Sequence, residues 1–233
     1  MENSPLTSER KRPHEILRRL RQTIAIPEED FAASRVAKET RDPFRVLVVT
    51  ILSQNCTDVA ALRAYDRLEK RVGVTVTNLR KARVRTIENA IRVAGLYKQK
   101  SRALRQLSAK VAEEYSGDFR PMLEGPFNEV RERLQQLPNV GPKTADVLLS
   151  ILGEPTISVD THVDRVSKRL GLAPNKGRYE IVRASLMQTL QGEDYRVIPM
   201  YFMALGRKIC RARRPLCPKC PINDLCPYDK KSD

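Results

Sequence analysis

The chain has 233 residues, enough for one large domain or two small ones with a buried core. Hydrophobic residues make up 41% of it, but no apolar run reaches the roughly 18 residues of a membrane span, and the N-terminus MENSPLTSERKRPHE has no signal-peptide core. We therefore expect a cytoplasmic, nucleoid-associated prokaryotic protein that does not enter membranes. The net charge of +15 favours a polyanionic partner, most often nucleic acid, although charge alone does not separate DNA from RNA or an anionic membrane surface.

The first half of the chain has the periodicity of amphipathic helices. Residues 1–12 are polar and predict a flexible basic tail, whereas PHEILRRLRQTI places Ile16, Leu17, Leu20 and Ile24 on one helix face. Asp42 and Pro43 are typical of a helix start. The following residues 46–52 are apolar and mostly β-branched, as in a buried strand, but no partner strand is apparent. We therefore predict a buried central helix that breaks near residues 53–55.

Further helices are predicted along the rest of the chain, and the fold class is all-α. Their sequences are VRTIENAIRVAGL, KSRALRQLSAKVAEEY, FNEVRERLQQL, GRYEIVRASLMQTL and YRVIPMYFMALGRKIC.

A tight turn joins two of these helices in VRERLQQLPNVGPKTADVLLSIL. Pro142 suits the first position of the second helix, with Gly141 before it, so free backbone N–H groups at a helix N-terminus can bind a phosphate. Together with Leu137 and Val140, these residues form the pattern of a helix–hairpin–helix that grips the DNA backbone without reading bases. The alternative is an ordinary helical turn in a core.

Lys143 and Asp160 are the candidate catalytic residues. A lysine in the first turn of a helix opposes the helix dipole, by roughly 0.3–1 kcal/mol, and such local conflicts often mark function. Its amine either attacks a sugar carbon to form a Schiff base or only binds phosphate. Asp160 starts the helix in SVDTHVDRVSKRLGL, where it can cap the helix, assist deprotonation of the lysine, or do both. His162 is more often a structural hydrogen-bonding residue at such a position.

Four of the five cysteines lie near the C-terminus, with six, two and five residues between them: Cys210, Cys217, Cys220 and Cys226. A cytoplasmic location disfavours disulfides, so four thiolates among prolines indicate a metal site. The spacing fits neither a typical zinc pattern nor the bacterial ferredoxin run, and zinc and a 4Fe–4S cluster both remain open.

These motifs together resemble the endonuclease III family of DNA glycosylases. The resemblance spans about residues 41–228 and rests on LPNVGPKTADVLLS, PTISVDTHVDRVSKRLGL, DPFRVLVVTILSQNCTD, AGLYKQKSRAL and the cysteine spacing. It implies two helical domains: a six-helix domain with the helix–hairpin–helix at residues 40–150, and a 4Fe–4S cluster domain built from residues 13–39 and 151–233. The four cysteines would hold the cluster and set the basic loop 211–219 against phosphates.

The resemblance also implies the reaction and its residues. Lys143 would attack C1′ of a damaged nucleotide flipped out of double-stranded DNA, Asp160 would assist, and β-elimination would nick the strand. Leu96 would wedge into the duplex, and Gln54 and Asn55 would line the site, although the register differs from the family and does not say which one inserts. The expected DNA contacts are Gln54, Asn55, Leu96, Leu137, Asn139, Gly141 and His162.

We therefore expect a monomeric, bifunctional glycosylase and AP lyase of base excision repair that removes oxidised pyrimidines and acts on abasic sites. A monofunctional mismatch glycosylase on the same fold is the nearest alternative. A non-catalytic DNA-binding module with a structural zinc is the other.

Overall fold

The computed structural model describes residues 5–27 and 31–228, with side chains from residue 11 onward. Within them the chain forms twelve α-helices: α1 Pro5–Thr23, α2 Ala32–Thr40, α3 Pro43–Ser53, α4 Asp58–Arg71, α5 Val76–Lys81, α6 Val84–Ile91, α7 Tyr97–Glu114, α8 Phe127–Gln135, α9 Pro142–Ile151, α10 Thr161–Arg169, α11 Tyr179–Thr189 and α12 Val197–Lys208. The all-α class is confirmed. None of the helices in these ranges is both long and apolar enough to cross a bilayer.

The chain divides into two compact units, a central one of residues 27–154 and a terminal one of residues 1–26 and 155–233. Residues 27–39, which the sequence analysis groups with the cluster domain, fall in the central unit. The reason is α2, whose Ala32 and Val36 are buried in the central core. The six helices implied by the resemblance become eight in the described part of this unit, because α2 joins it and residues 76–81 form the short α5.

The central unit is built round α3, and the predicted buried helix is confirmed. The carboxylate of Asp42 caps it by accepting hydrogen bonds from the amides of Phe44 at 2.9 Å and Arg45 at 3.4 Å. Every residue from Phe44 to Leu52 except Arg45 is buried, so α3 is apolar on all sides. The helix ends at Ser53, which leaves Gln54 and Asn55 in the turn before α4.

The terminal unit packs α1, α10, α11 and α12 round one apolar core. The predicted face of α1 is confirmed, since Ile16, Leu17 and Leu20 are fully buried. The flexible tail predicted for residues 1–12 is instead helical from Pro5 onward, while residues 1–4 lie outside the described residues. Arg12 anchors this stretch by donating to the carbonyl oxygens of Leu170 at 3.0 Å and Leu225 at 2.9 Å.

Candidate active site and cysteine centre

The helix–hairpin–helix of the central unit consists of α8, the turn at residues 136–141, and α9. The turn reverses at Asn139, whose φ of 64° is left-handed. Gly141 is the extended N-cap of α9 and Pro142 its first residue. Leu137 and Val140 are only 3% and 4% exposed. The side chain of Leu137 therefore packs in the core.

An open pocket with about 950 Å³ of empty space lies beside this turn. It brings together most of the central-unit residues that the sequence predicts for the site. Its lining is Gln54, Asn55, Gln135, Leu137, Asn139, Val140, Gly141, Lys143 and Thr144. Lys143 is exposed here, in the first turn of α9. Its amine is therefore accessible to a ligand that enters the pocket.

Gln54 and Asn139 are held in the pocket wall by hydrogen bonds. The Nε2 atom of Gln54 donates to the carbonyl oxygen of Asn139 at 3.0 Å and to Oγ1 of Thr144 at 3.1 Å. The Nδ2 atom of Asn139 donates back to Oε1 of Gln54 at 2.7 Å. Gln99 adds a bond from its Nε2 to Oδ1 of Asn139 at 3.3 Å. Asn55, by contrast, is exposed and has a left-handed φ of 55°.

Leu96 lies in the turn before α7, with its large apolar side chain 53% exposed. Its φ of 45° is left-handed and follows the positive φ of Gly95. An exposed leucine in this strained conformation is uncommon. Insertion of this side chain into the duplex stays a prediction.

Sequence reasoning missed two buried charged residues in the central unit, Asp146 and Lys100. Asp146 is fully buried and accepts two 2.8 Å hydrogen bonds from Arg131, which joins α8 to α9 behind the hairpin. Lys100 is buried beneath the Leu96 turn. Both Lys100 and Asp146 fall on the otherwise apolar face of their helices, and that conflict in periodicity is the signal that could have identified them.

In the terminal unit, Asp160 is the N-cap of α10. Its Oδ1 atom accepts hydrogen bonds from the amides of His162 at 2.9 Å and Val163 at 2.7 Å. Both amides donate to Oδ1, so the Oδ2 atom of Asp160 takes no part in capping the helix. His162 contacts Arg165 through Nδ1 at 3.1 Å. Burial lowers the pKa of His162; Asp160 opposes the shift, and Arg165 and Arg207 reinforce it.

The four C-terminal cysteines line one pocket with about 380 Å³ of empty space, walled by apolar residues such as Val166, Leu205 and Ile222. All four are half-buried, and none of them forms a disulfide. Burial raises the pKa of the Cys220 thiol to about 11, and the other three cysteines add to the rise. In the described ranges, no three metal-binding side chains stand close enough to share a single ion. The four cysteines therefore surround one small, largely apolar pocket.

Arg169 forms hydrogen bonds with Cys210 and with the start of the loop at residues 211–219. Its guanidinium donates to Sγ of Cys210 at 3.3 Å and to the carbonyl oxygens of Arg211 at 2.7 Å and Ala212 at 3.0 Å. It also stacks over the ring of Tyr228 at 4.5 Å. The loop that follows exposes Arg211, Arg213, Arg214 and Lys219. This basic surface is suited to phosphate.

Comparisons with known proteins identify the family of this chain. Residues 48–191 match the HhH-GPD superfamily of base excision DNA repair proteins. The chain is 34% identical to endonuclease III of Sulfolobus acidocaldarius over 217 residues, 92% of this chain and 95% of that protein. It is also 34% identical to endonuclease III of Escherichia coli K12, over 94% of this chain and 96% of that one.

Solved structures show the same similarity. A trapped endonuclease III–DNA covalent intermediate, described as an estranged-adenine complex, superposes with a TM-score of 0.71 at 32% identity, over 89% of this chain and 99% of that one. A thermostable thymine-DNA glycosylase has a TM-score of 0.72 at 24% identity, over 97% of this chain and 99% of that one. At that identity the second likeness shows the fold alone.

Proposed function

This chain belongs to the endonuclease III family of base excision DNA repair proteins, and we propose that Lys143 is its nucleophile and Asp160 the carboxylate that assists it. As a member of this family it is a DNA glycosylase with AP lyase activity, and its partner is double-stranded DNA with damaged bases or abasic sites. The observation that carries the proposal is the exposed amine of Lys143 in the open pocket beside the hairpin.

The chemistry assigned to Lys143 is nucleophilic substitution at the sugar. Its neutral amine attacks C1′, the bond from C1′ to the damaged base breaks, and the base departs with the electron pair and takes up a proton. The sugar ring opens to a Schiff base. Loss of a proton from C2′ then drives cleavage of the C3′–O bond, and the 3′ phosphate leaves. A free amine in an accessible pocket is what the first step requires.

Asp160 supplies negative charge to this reaction. We assign it two tasks, which are to accept a proton from the lysine ammonium and to stabilise positive charge developing on the sugar. Its Oδ1 atom is fixed by two backbone amides. The carboxylate is therefore pre-oriented, and little reorganisation is needed during the reaction.

The hairpin of residues 136–141 supplies backbone amides for the DNA phosphates, through Gly141 and the first turn of α9. The proposed roles in the duplex are insertion of Leu96 and Asn55, with Gln54 and Asn139 shaping the pocket. His162 remains a proposed DNA contact at the start of α10.

We further propose that Cys210, Cys217, Cys220 and Cys226 hold a 4Fe–4S cluster. Support comes from four cysteines that line one pocket without forming disulfides, and from membership in this family. When bound, the cluster supplies four iron–thiolate bonds that fix the exposed basic loop 211–219. We expect Cys217→Ser to lower the iron content and visible absorption of the purified protein. Cys56→Ser is the matched control and should retain both, whereas stoichiometric zinc without iron would contradict the assignment.

The activity is tested on duplexes that carry thymine glycol, a T·G mispair or an abasic site, with and without alkaline workup. We expect strand nicking at thymine glycol and at the abasic site before alkali, and little reaction at the mispair. Base release that leaves the strand intact until alkali would favour the monofunctional alternative. Binding with no product on any duplex would favour the non-catalytic module.

A further inference from the structure

The ammonium group of Lys100 is buried in the central unit and fully hydrogen-bonded. Lys100 is 1% exposed. Its Nζ atom donates to the carbonyl oxygens of Leu52 at 2.8 Å, Gln54 at 2.6 Å and Ala94 at 2.8 Å. A protonated lysine has three N–H donors and no acceptor, so these carbonyls use its whole capacity. Burial lowers the pKa of Lys100, and the three carbonyls offset part of the cost of burying its charge.

The three carbonyls belong to two separate segments of the chain. Leu52 and Gln54 lie at the C-terminal end of α3, where free carbonyls and the helix dipole favour a cation. Ala94 ends the short 3-10 turn Arg92–Ala94. One ammonium therefore connects the end of α3 to the turn before α7, which are about 40 residues apart in sequence.

Each of these segments continues directly into an exposed residue of the proposed DNA interface. Asn55 follows Gln54, and Leu96 follows Ala94 and Gly95. Both have left-handed φ angles, 55° for Asn55 and 45° for Leu96. Such conformations persist when the surrounding structure fixes them. Of the three carbonyls that Lys100 binds, that of Gln54 lies one residue before Asn55 and that of Ala94 two residues before Leu96.

We propose that Lys100 is a positioning residue that fixes the separation between Asn55 and Leu96, so that both enter the duplex together and the damaged nucleotide is everted. This inference rests on the proposed function. Extruding a paired base costs a few kcal/mol, whereas an abasic site has no base to unstack. Loss of the Lys100 contacts therefore slows the reaction on a paired lesion more than on an abasic site.

The test compares single-turnover rates on a thymine glycol·A duplex and on an abasic-site duplex for wild type and Lys100→Met. Methionine fills most of the same space and donates no hydrogen bonds. We expect the ratio of the paired-lesion rate to the abasic-site rate to fall about tenfold or more in this variant. Val111→Ala is the matched control, because it removes buried volume from the same helix without touching the three carbonyls. Its ratio should equal that of wild type.

Thermal unfolding of each variant shows whether it is folded at the assay temperature. Should Lys100→Met be unfolded, Lys100→Gln, which retains two donors, is assayed in its place. An unchanged rate ratio in a folded variant overturns the inference while the activity of wild type stands. Failure of both variants to fold also overturns it, because Lys100 would then serve stability. A wild-type protein inactive on both duplexes would instead refute the proposed function.

Discussion

Gln54 and Asn139 exchange hydrogen bonds although 85 residues separate them in the sequence. The amide nitrogen of each side chain donates to an oxygen of the other residue, at 3.0 Å from Gln54 and 2.7 Å from Asn139. The pair ties the end of α3 to the hairpin and leaves the neighbouring Asn55 exposed. The sequence alone did not say which of Gln54 and Asn55 inserts into the duplex. In the structure Gln54 lies within the pocket wall, and Asn55 lies at its surface.

We expect Gln54→Ala to lower the free energy of unfolding by about 1 kcal/mol or more, because it leaves polar groups of the hairpin unpaired. Asn55→Ala should change stability by less and slow the single-turnover rate on thymine glycol by more. Urea denaturation and single-turnover kinetics on both variants test this separation. A reversed pattern, with Asn55→Ala the less stable and Gln54→Ala the slower, would contradict the assignment.

The buried ion pair between Arg131 and Asp146 stabilises the hairpin by joining α8 to α9. Asp146→Ala leaves the arginine charge buried without its partner, which costs about 3–5 kcal/mol. The exposed pair of Arg35 and Glu39 is the control, since both side chains are about half exposed and the bond is 2.8 Å long, as in the buried pair. Glu39→Ala should shift the urea midpoint far less. Equal shifts would show that the buried pair has no special role in stability.

The two roles of Asp160 are separable by substitution. Asparagine caps helices about as well as aspartate, whereas alanine loses about 1 kcal/mol of capping energy. Asp160→Asn should therefore retain most of the stability of wild type and react much more slowly, while Asp160→Ala loses both. The measurements are thermal unfolding and turnover on the thymine glycol duplex. Wild-type turnover by a folded Asp160→Asn would remove the carboxylate from the mechanism.

His162 should titrate below its ordinary pKa of 6.5, because burial disfavours the imidazolium. Above that pH the ring is neutral in both the folded and unfolded states. As the pH falls through 6.5 the unfolded state takes up a proton first, so His162 makes the protein less stable toward acid. The chain has only two histidines, so an NMR titration of both imidazole rings measures the pKa of His162 directly. A pKa at or above 6.5 would contradict the burial argument.

Local sequence patterns were sufficient to predict most of the helices, but not α2 or the short α5. The apolar face of α1, the Asp42 cap and the buried α3 all follow from neighbouring residues. The hairpin turn follows from its glycine and prolines in the same way. The roles of Lys143, Asp160 and the four cysteines came from family resemblance, because spacing alone left phosphate binding and zinc open.

Other features depend on contacts between distant residues and were not predictable from local pattern. Residues 5–12 are helical, and Arg12 reaches carbonyls more than 150 residues away. Periodicity could have marked Lys100 and Asp146 as buried, but the hydrogen-bond partners of Lys100 lie 46 and 48 residues away in α3 and its C-cap and do not follow from local pattern. Leu137, an expected DNA contact, has a side chain that is only 3% exposed. In each case the environment of the residue is set by residues that are distant in sequence and adjacent only in the folded chain.

The most direct test of the central claim is borohydride trapping on an abasic-site duplex, with Lys143→Gln as the comparison. Borohydride reduces a Schiff base to a stable amine, so the wild-type protein should become covalently linked to the DNA, with the modified peptide containing Lys143. Lys143→Gln should bind the duplex yet give no adduct and no nick. Trapping of the variant at the wild-type level, or attachment of the DNA through a different lysine, would contradict the account.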